Sequence, residues 1–250
     1  MTIKTMVESI RECMRQEMEA DDSVLVIGED VGALGGVFRA TDGLLEQFGP
    51  DRVVDMPLAE GVIVGSGIGL ALSGMRPVVE IQFLGFGHQA FHQIGQQAAR
   101  MHFRSQGRFR VPLVIRAPFG GGVRTPELHS DAFEAFYTHT PGLKVVAPAT
   151  AYDAKGLLAE AISSDDPVLF LEPLKGYRLT RDEVPDERYG SRSARHELCG
   201  NATTSRSSLG RPRWAPRSGP PRNSQRAGSV SKSWTSDLWC RWTPERSLRR

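Results

Sequence analysis

The sequence predicts an α/β domain over residues 1–185, a mostly parallel sheet with helices on both faces, followed by a basic, disordered tail over 186–250. Two patterns point to the domain. Short apolar runs alternate with stretches of helical length as far as residue 171, as βα units do. The first of those runs, 23–28 (SVLVIG), is apolar almost throughout, as strands buried on both faces are. A third observation separates the tail. Residues 191–250 hold 12 Arg and one Lys against three acids, a net charge of +10, whereas residues 1–190 carry −8.

The elements follow in order. The opening stretch MTIKTMVESIRECMRQEMEADD reads as a charged amphipathic helix, without the apolar centre of a signal peptide. Residues 23–28 (SVLVIG) form a strand that runs into Glu29 and Asp30, and 52–56 (RVVDM) form a second. Residues 60–73 (EGVIVGSGIGLALS) are apolar on nearly every side and hold four glycines, which predicts a buried helix packed closely on its neighbours. A strand at 76–83 and a helix at 90–103 come next, then strands at 111–116, 143–146 and 168–171. Between the last two, 151–163 is an amphipathic helix, with Thr150 placed to cap it and Asp153 suited to its positive end. No internal repeat is present.

Composition narrows the function classes. At 250 residues, 40% apolar and 24% charged, the chain has room for a large core and for one or two domains. No window approaches the ~18 uninterrupted apolar residues of a membrane span. Cys13, Cys199 and Cys240 lack disulfide or zinc spacing and suggest a reducing, cytoplasmic setting.

The tail holds all four Trp and 12 Ser but no Phe, Ile or Met, and it shows neither helical nor strand periodicity. Three readings of it stand open. An Arg-rich arm binds nucleic acid through phosphates; a plain disordered tail has no partner; a shifted reading frame replaces what belongs there. The codons for 239–243 (WCRWT), read from the third base, translate under the commonest choices as Val, Ser or Pro, an aliphatic residue and Asp. Over 230–243 the same shift allows VEVVDLRPLVPLD, a strand and loop pattern. The shifted frame is the favoured reading and the nucleic-acid arm the least favoured.

Ligands of parallel α/β sheets bind beyond the carboxyl ends of the strands. The chemistry-bearing residues there are Glu29, Glu60, Gln82, Phe86 and His129. Glu60 is the sharpest candidate, because it opens an apolar helix. Burial disfavours its charge and the helix end favours it, a balance that suits proton sharing with a ring nitrogen. The blander alternative is a helix-start acid with no ligand. The glycines at 120–122 lack the Lys-Ser or Lys-Thr of a P-loop, GGVFRATDG at 35–43 is no dinucleotide fingerprint, and both read as turns. His88 and His92 have a metal-binding spacing but no third ligand close in sequence. His129 lies in a polar loop, where histidines commonly face solvent.

Taken together, IGEDVG (27–32), GGVFRATDGLLEQFGPDRVVDMPLAE (35–60), GMRPVVEIQF (74–83), VPLVIRAPFGGG (111–122), HSDAFEAFYTHTPGLKVVAPAT (129–150) and DAKGLLAEAI (153–162) resemble, in order and spacing, a known family. It is the β subunit of thiamine-diphosphate-dependent 2-oxo acid dehydrogenases of the pyruvate and branched-chain type. The resemblance covers about residues 4–178. It implies a transketolase-like pyrimidine-binding domain that acts only with an α subunit, which holds the diphosphate and magnesium, in an α2β2 assembly. The implied reaction decarboxylates a 2-oxo acid on thiamine diphosphate and passes the acyl group to the lipoyl arm of a partner acyltransferase.

By the same resemblance Glu60 matches the glutamate that bonds the pyrimidine ring nitrogen and promotes loss of the thiazolium proton. Phe86 matches the ring packed on the pyrimidine. Gln82 and Glu29 line that pocket, Glu29 in an acid–water relay, and His129 stands at the substrate and lipoyl mouth. Main-chain oxygens of Leu113, Ala161, Ile162, Ser164 and Asp166 match a potassium site of some members, although Ser164 replaces the usual acid. Other departures are Gly61, Gly85 in place of Asp or Asn, and Gly95 in mid-helix. The tail stands where the family has a second α/β domain, of which VEVVDLRPLVPLD would be typical. The alternative function is a non-catalytic fragment that serves at most as a binding module.

Overall fold

The computed structural model describes residues 1–122, 124–125, 127–190 and the backbone of 203–204, all within one compact unit, Met1–Ser205. The readings of residues 191–250, including the shifted frame and the nucleic-acid arm, lie outside the described residues, apart from the backbone of 203–204.

The first strand, β1 (Thr2–Thr5), corrects the all-helical reading of the N-terminus. It pairs antiparallel with β8 (Arg181–Val184), Thr2 opposite Val184. Helix α1 (Met6–Ala20) starts only after Thr5, whose side chain accepts from the Glu8 backbone while the Glu8 carboxylate accepts from the Thr5 N–H (2.7 Å). This reciprocal cap fixes the boundary, and its T-x-x-E signature is present in the sequence.

The main sheet contains β2 (Val24–Gly28), β3 (Val53–Asp55), β4 (Arg76–Glu80), β5 (Val114–Phe119), β6 (Lys144–Ala147), β7 (Val168–Pro173) and β9 (Thr203–Thr204). Its order is β3-β2-β4-β5-β7-β6-β9 and every pairing is parallel. Successive strand residues feed different cores. Val24 and Val26 pack with Ile10, Met14 and Leu158 from α1 and α7 (Ala151–Ser163). Leu25 and Ile27 pack with Ile63, Val64 and Ile94 from the other face. Thus the fold class is as the sequence predicts. Thr150 caps α7 by accepting from Asp153 N–H (2.9 Å).

Strand β5 starts three residues later than expected, after Pro112, which has no N–H to donate. Pro118 lies within it because β4 pairs only as far as Arg116, so that β5 has one partner from there on.

Helix α3 (Glu60–Leu72) is close-packed at Gly67, where a Cβ would come within 2.6 Å of Val79 and 3.0 Å of Leu113. It is not buried all round, however. Val62 is 54% exposed, and Leu72 is exposed with it. The helix expected at 90–103 is longer: α4 (Gly87–Phe91) and α5 (Ala99–Arg104) are joined by a π-helical segment, His92–Ala98. The short helices α2 (Leu44–Phe48), α6 (Glu134–Thr138) and α8 (Gly176–Leu179) and a 3-10 turn at Leu84–Phe86 complete the described elements.

Residues 186–190, assigned by composition to the tail, pack on α1 and α7. Arg188 forks onto Glu17 (2.7 Å twice), and Tyr189 stacks on Tyr152 at 4.8 Å. Buried Lys155 donates to the Pro185 carbonyl (2.6 Å).

Candidate functional site at the carboxyl edge of the sheet

The register aligns the ends of four strands. Gly28 lies opposite both Asp55 and Glu80, and Glu80 lies opposite Arg116. Chain order reverses between β2 and β4, the point at which parallel α/β sheets open a crevice. Glu29 follows β2, Glu60 opens α3 just after β3, Gln82 follows β4, and the loop carrying His129 follows β5. Phe86 ends the turn after Gln82, so all five candidates lie beyond the carboxyl ends of these strands.

Glu60 is 4% exposed, and its Oε2 is buried with no hydrogen-bond partner among the described residues. Leaving a buried carboxylate oxygen unpaired costs about 1–3 kcal/mol, and Glu134 Oε2 is the other such oxygen among the described residues. Ala59, before it, provides no side-chain cap. Glu29 is near enough to feel this charge. Its pKa is raised, first by burial, then by Asp30 and by Glu60. The two acids thus form a repelling pair at the β2/α3 corner.

The loop after β2 is held over this corner by its own bonds. The Gly32 N–H donates to Asp55 (2.7 Å), Thr41 Oγ1 to the Val31 carbonyl (2.7 Å), and the Gly36 N–H to the Asp30 carbonyl (2.7 Å). Gly35 has a φ of 69°, and a Cβ there would meet Asp42 Cα at 2.8 Å, so GGVF is a turn that needs its glycine.

Phe86 and His129 come together edge to face, with ring centroids 5.1 Å apart. Both rest on Phe83, at 5.6 and 4.7 Å. His129 is only partly exposed, and its Nδ1 donates to the Glu127 carbonyl (2.8 Å), so it is not a plain solvent-facing loop histidine. Gly85 has a steric reason, because a Cβ there would collide with the Leu128 carbonyl of the same loop. Gly61 lies under the Gln89 carbonyl, 3.3 Å from where its Cβ would be.

Phe83 was not among the sequence candidates, nor was the buried ionic cluster of Arg116, Glu80 and Glu172 behind it. A signal existed: three otherwise apolar strand runs carry a charged residue within or at the end of the run, Glu80 in RPVVE, Arg116 in VIRAPF and Glu172 in VLFLEP.

His88 packs on Phe133 at 4.2 Å, and among the described residues no group of three or more His, Cys, Asp and Glu side chains is placed to hold a metal. The five carbonyls matched to potassium already accept bonds. Leu113 accepts from Val168 N–H (2.9 Å), Ala161 from Ser164 N–H (3.2 Å), Ile162 and Ser164 from Arg76 Nη1 (2.9 and 3.2 Å), and Asp166 from Ser164 Oγ (3.0 Å). A groove of about 450 Å³ lined by Lys4, Arg11, Glu12 and Asp42, among others, contains none of the five candidate residues.

Residues 4–180 match the family described as transketolase, pyrimidine binding domain. The chain belongs to that family. The pyruvate dehydrogenase E1 component subunit beta of Bacillus subtilis is 56% identical over 185 residues, 74% of this chain and 57% of the relative. The same subunit of Staphylococcus epidermidis is 55% identical over the same shares. The chain therefore spans a little over half the length of these relatives. Among solved structures, a split-gene transketolase described as an inactive beta4 tetramer superposes with a TM-score of 0.59 at 20% identity, covering 74% of this chain and 56% of that one. Transketolase from Leishmania mexicana superposes at 0.56 and 18% identity, covering 68% of this chain and 25% of that one. At such identities the pyrimidine-binding-domain likeness is one of fold. Among the described residues no helix is long and apolar enough to cross a membrane.

Proposed function

We propose that this chain supplies the pyrimidine-binding half of a thiamine diphosphate site in the β subunit of a cytoplasmic pyruvate dehydrogenase. The observation that carries the reading is Glu60, whose buried Oε2 has no hydrogen-bond partner among the described residues at the start of α3. The fit is chemical. A ring nitrogen at this corner would give that oxygen the hydrogen bond it lacks, and the paired acids would hold a proton beside it. When bound, thiamine diphosphate supplies the electron sink for decarboxylation of the 2-oxo acid. Glu60 would hold or release a proton at Oε2. Glu29, with its charge disfavoured, would take part in moving that proton. Phe86 would pack on the pyrimidine, with Gln82 lining the pocket and His129 at its mouth. Identity with pyruvate dehydrogenase subunits supports pyruvate over branched-chain substrates.

On this reading the corner is half a site, to be completed by an α subunit that carries the diphosphate and magnesium in an α2β2 assembly. A lipoyl-bearing acyltransferase would take the acyl group. Potassium, if held by Leu113, Ala161, Ile162, Ser164 and Asp166, would use lone pairs left over from the bonds above, beside the cationic Arg76. A higher melting temperature in potassium than in matched lithium chloride supports that ion, and equal melting removes it.

The test of the main reading mixes the purified chain with the α subunit of a related bacterial pyruvate dehydrogenase and assays pyruvate decarboxylation. Activity that needs both chains and is lost in Glu60→Gln supports it, and equal activity of the Gln variant defeats the role of Glu60. A second reading is a non-catalytic binding module. Size-exclusion chromatography with the α subunit separates the two, since absence of a complex supports the second.

A further inference from the structure

A charged cluster lies buried behind the site and uses none of its five candidate residues. Arg116, wholly buried in β5, donates from Nη1 to Glu80 Oε2 (2.7 Å) and from Nε and Nη2 to the two oxygens of Glu172 (2.7 and 2.9 Å). The Tyr177 hydroxyl also donates to Glu172. Burial works against the charge of Arg116, but Glu172 and Glu80 outweigh it and keep the guanidinium protonated. Burial also pushes the Glu80 carboxyl up, against the opposing pull of Arg116.

Burying three charged groups is no cheap route to stability, since apolar side chains of similar volume commonly do as well. What a forked guanidinium adds is fixed geometry. Here it ties the ends of β4 and β7 to β5 at hydrogen-bond tolerance. Glu80 is two residues before Gln82 and three before Phe83.

The cluster reaches the site through aromatic rings. Tyr177 meets Phe38 edge-on at 5.5 Å, and Phe38 meets Phe83 at 5.4 Å. Phe83 meets both Phe86 and His129, which meet each other. Phe38 lies on the GGVF turn, so three separate loops converge on this ladder. Each ring has two rotatable angles and sits in edge-to-face contact, so a shift of one is felt by the next.

We infer that the Arg116–Glu172–Tyr177 cluster is a positioning device that sets the places of Phe86 and His129 through Phe38 and Phe83. That these two residues flank a cofactor rests on the function proposed above; the mechanical coupling does not.

The test uses the full chain and histidine ring signals in ¹H–¹³C spectra, with His129 assigned by its loss in His129→Gln. Phe38→Leu breaks the middle of the ladder, and Tyr177→Phe removes only the hydroxyl anchor. Both should move the His129 signals and leave those of His102, which sits near Asp166 at the far end of α5. Phe38→Tyr, which keeps the ring, should restore the His129 position. If Tyr177→Phe does not fold, Phe38→Leu with its Tyr control carries the test. Melting temperatures that fall while His129 moves no more than His102 overturn the inference and leave a purely structural cluster.

In the complex with the α subunit, Phe38→Leu should lower kcat about tenfold or more with KM little changed, as expected of misplaced groups. The two proposals fail separately. His129 signals that respond while Glu60→Gln keeps full activity remove the function and leave the coupling. A Glu60-dependent activity with unmoved His129 signals removes the coupling alone.

Discussion

Replacing Glu60 by Met asks directly whether the residue is there for the fold or for a ligand. Met matches Glu in length and in helix propensity, so α3 itself changes little. Removing the carboxylate relieves a buried oxygen with no partner among the described residues, worth about 1–3 kcal/mol. It also forfeits the attraction between a negative charge and the helix start, about 0.3–1 kcal/mol. The relief outweighs the loss, and the isolated chain should gain roughly 1–2 kcal/mol. For a domain of this size each kcal/mol moves the melting temperature by about 2–4 °C, so the variant should melt roughly 2–8 °C higher. Far-ultraviolet circular dichroism melts of the full chain at neutral pH read this. A loss of more than about 1 kcal/mol would show that Glu60 is a structural helix-start acid, and the argument from its bare oxygen would fail.

Other expectations follow from the same corner and its surroundings. Glu29 has a raised pKa in the fold, so its charge opposes folding. The penalty is absent below the unfolded value of 4.5 and grows as pH rises through the higher folded value. Glu29→Gln should therefore stabilise the chain at neutral pH, with the gain vanishing on acidification; a gain that does not change with pH contradicts the assigned cause. Gly85→Asn should collide with the Leu128 carbonyl and displace the His129 loop, visible as shifted His129 signals. Gly95→Ala should stabilise by up to about 1 kcal/mol in urea melts, because its Cβ would meet the Phe91 ring at 3.4 Å, an ordinary contact, and the chain would lose glycine's freedom when unfolded.

Legibility followed the range of the interactions. Helix α7 has the bounds that its apolar spacing and the Thr150 cap predict, because both causes lie within a few residues. The convergence of Glu29, Glu60, Gln82 and the His129 loop was legible because parallel sheets present all carboxyl ends on one side. The start of α1 was legible in principle from the T-x-x-E box, but the helical periodicity of the residues beyond it masked a strand that exists only by pairing with β8, nearly 180 residues away. The exposed side of α3 could not be read, since apolar residues on every side say nothing about which neighbours are present. The ladder from Tyr177 through Phe38 to Phe83 joins three distant segments, and no local pattern announces it. The partners Glu80, Arg116 and Glu172 were visible as charges inside apolar strands, a conflict that only mutual pairing resolves.

The central claim is that Glu60 governs proton removal from the cofactor. It is tested most directly by hydrogen–deuterium exchange at the thiazolium C2 of thiamine diphosphate bound to this chain with an α subunit, quenched in acid and read by ¹H NMR. Exchange should slow by roughly 100-fold or more in Glu60→Gln, the scale of a lost positioned acid–base group. Equal exchange rates in the two proteins, with cofactor equally bound, would contradict the account.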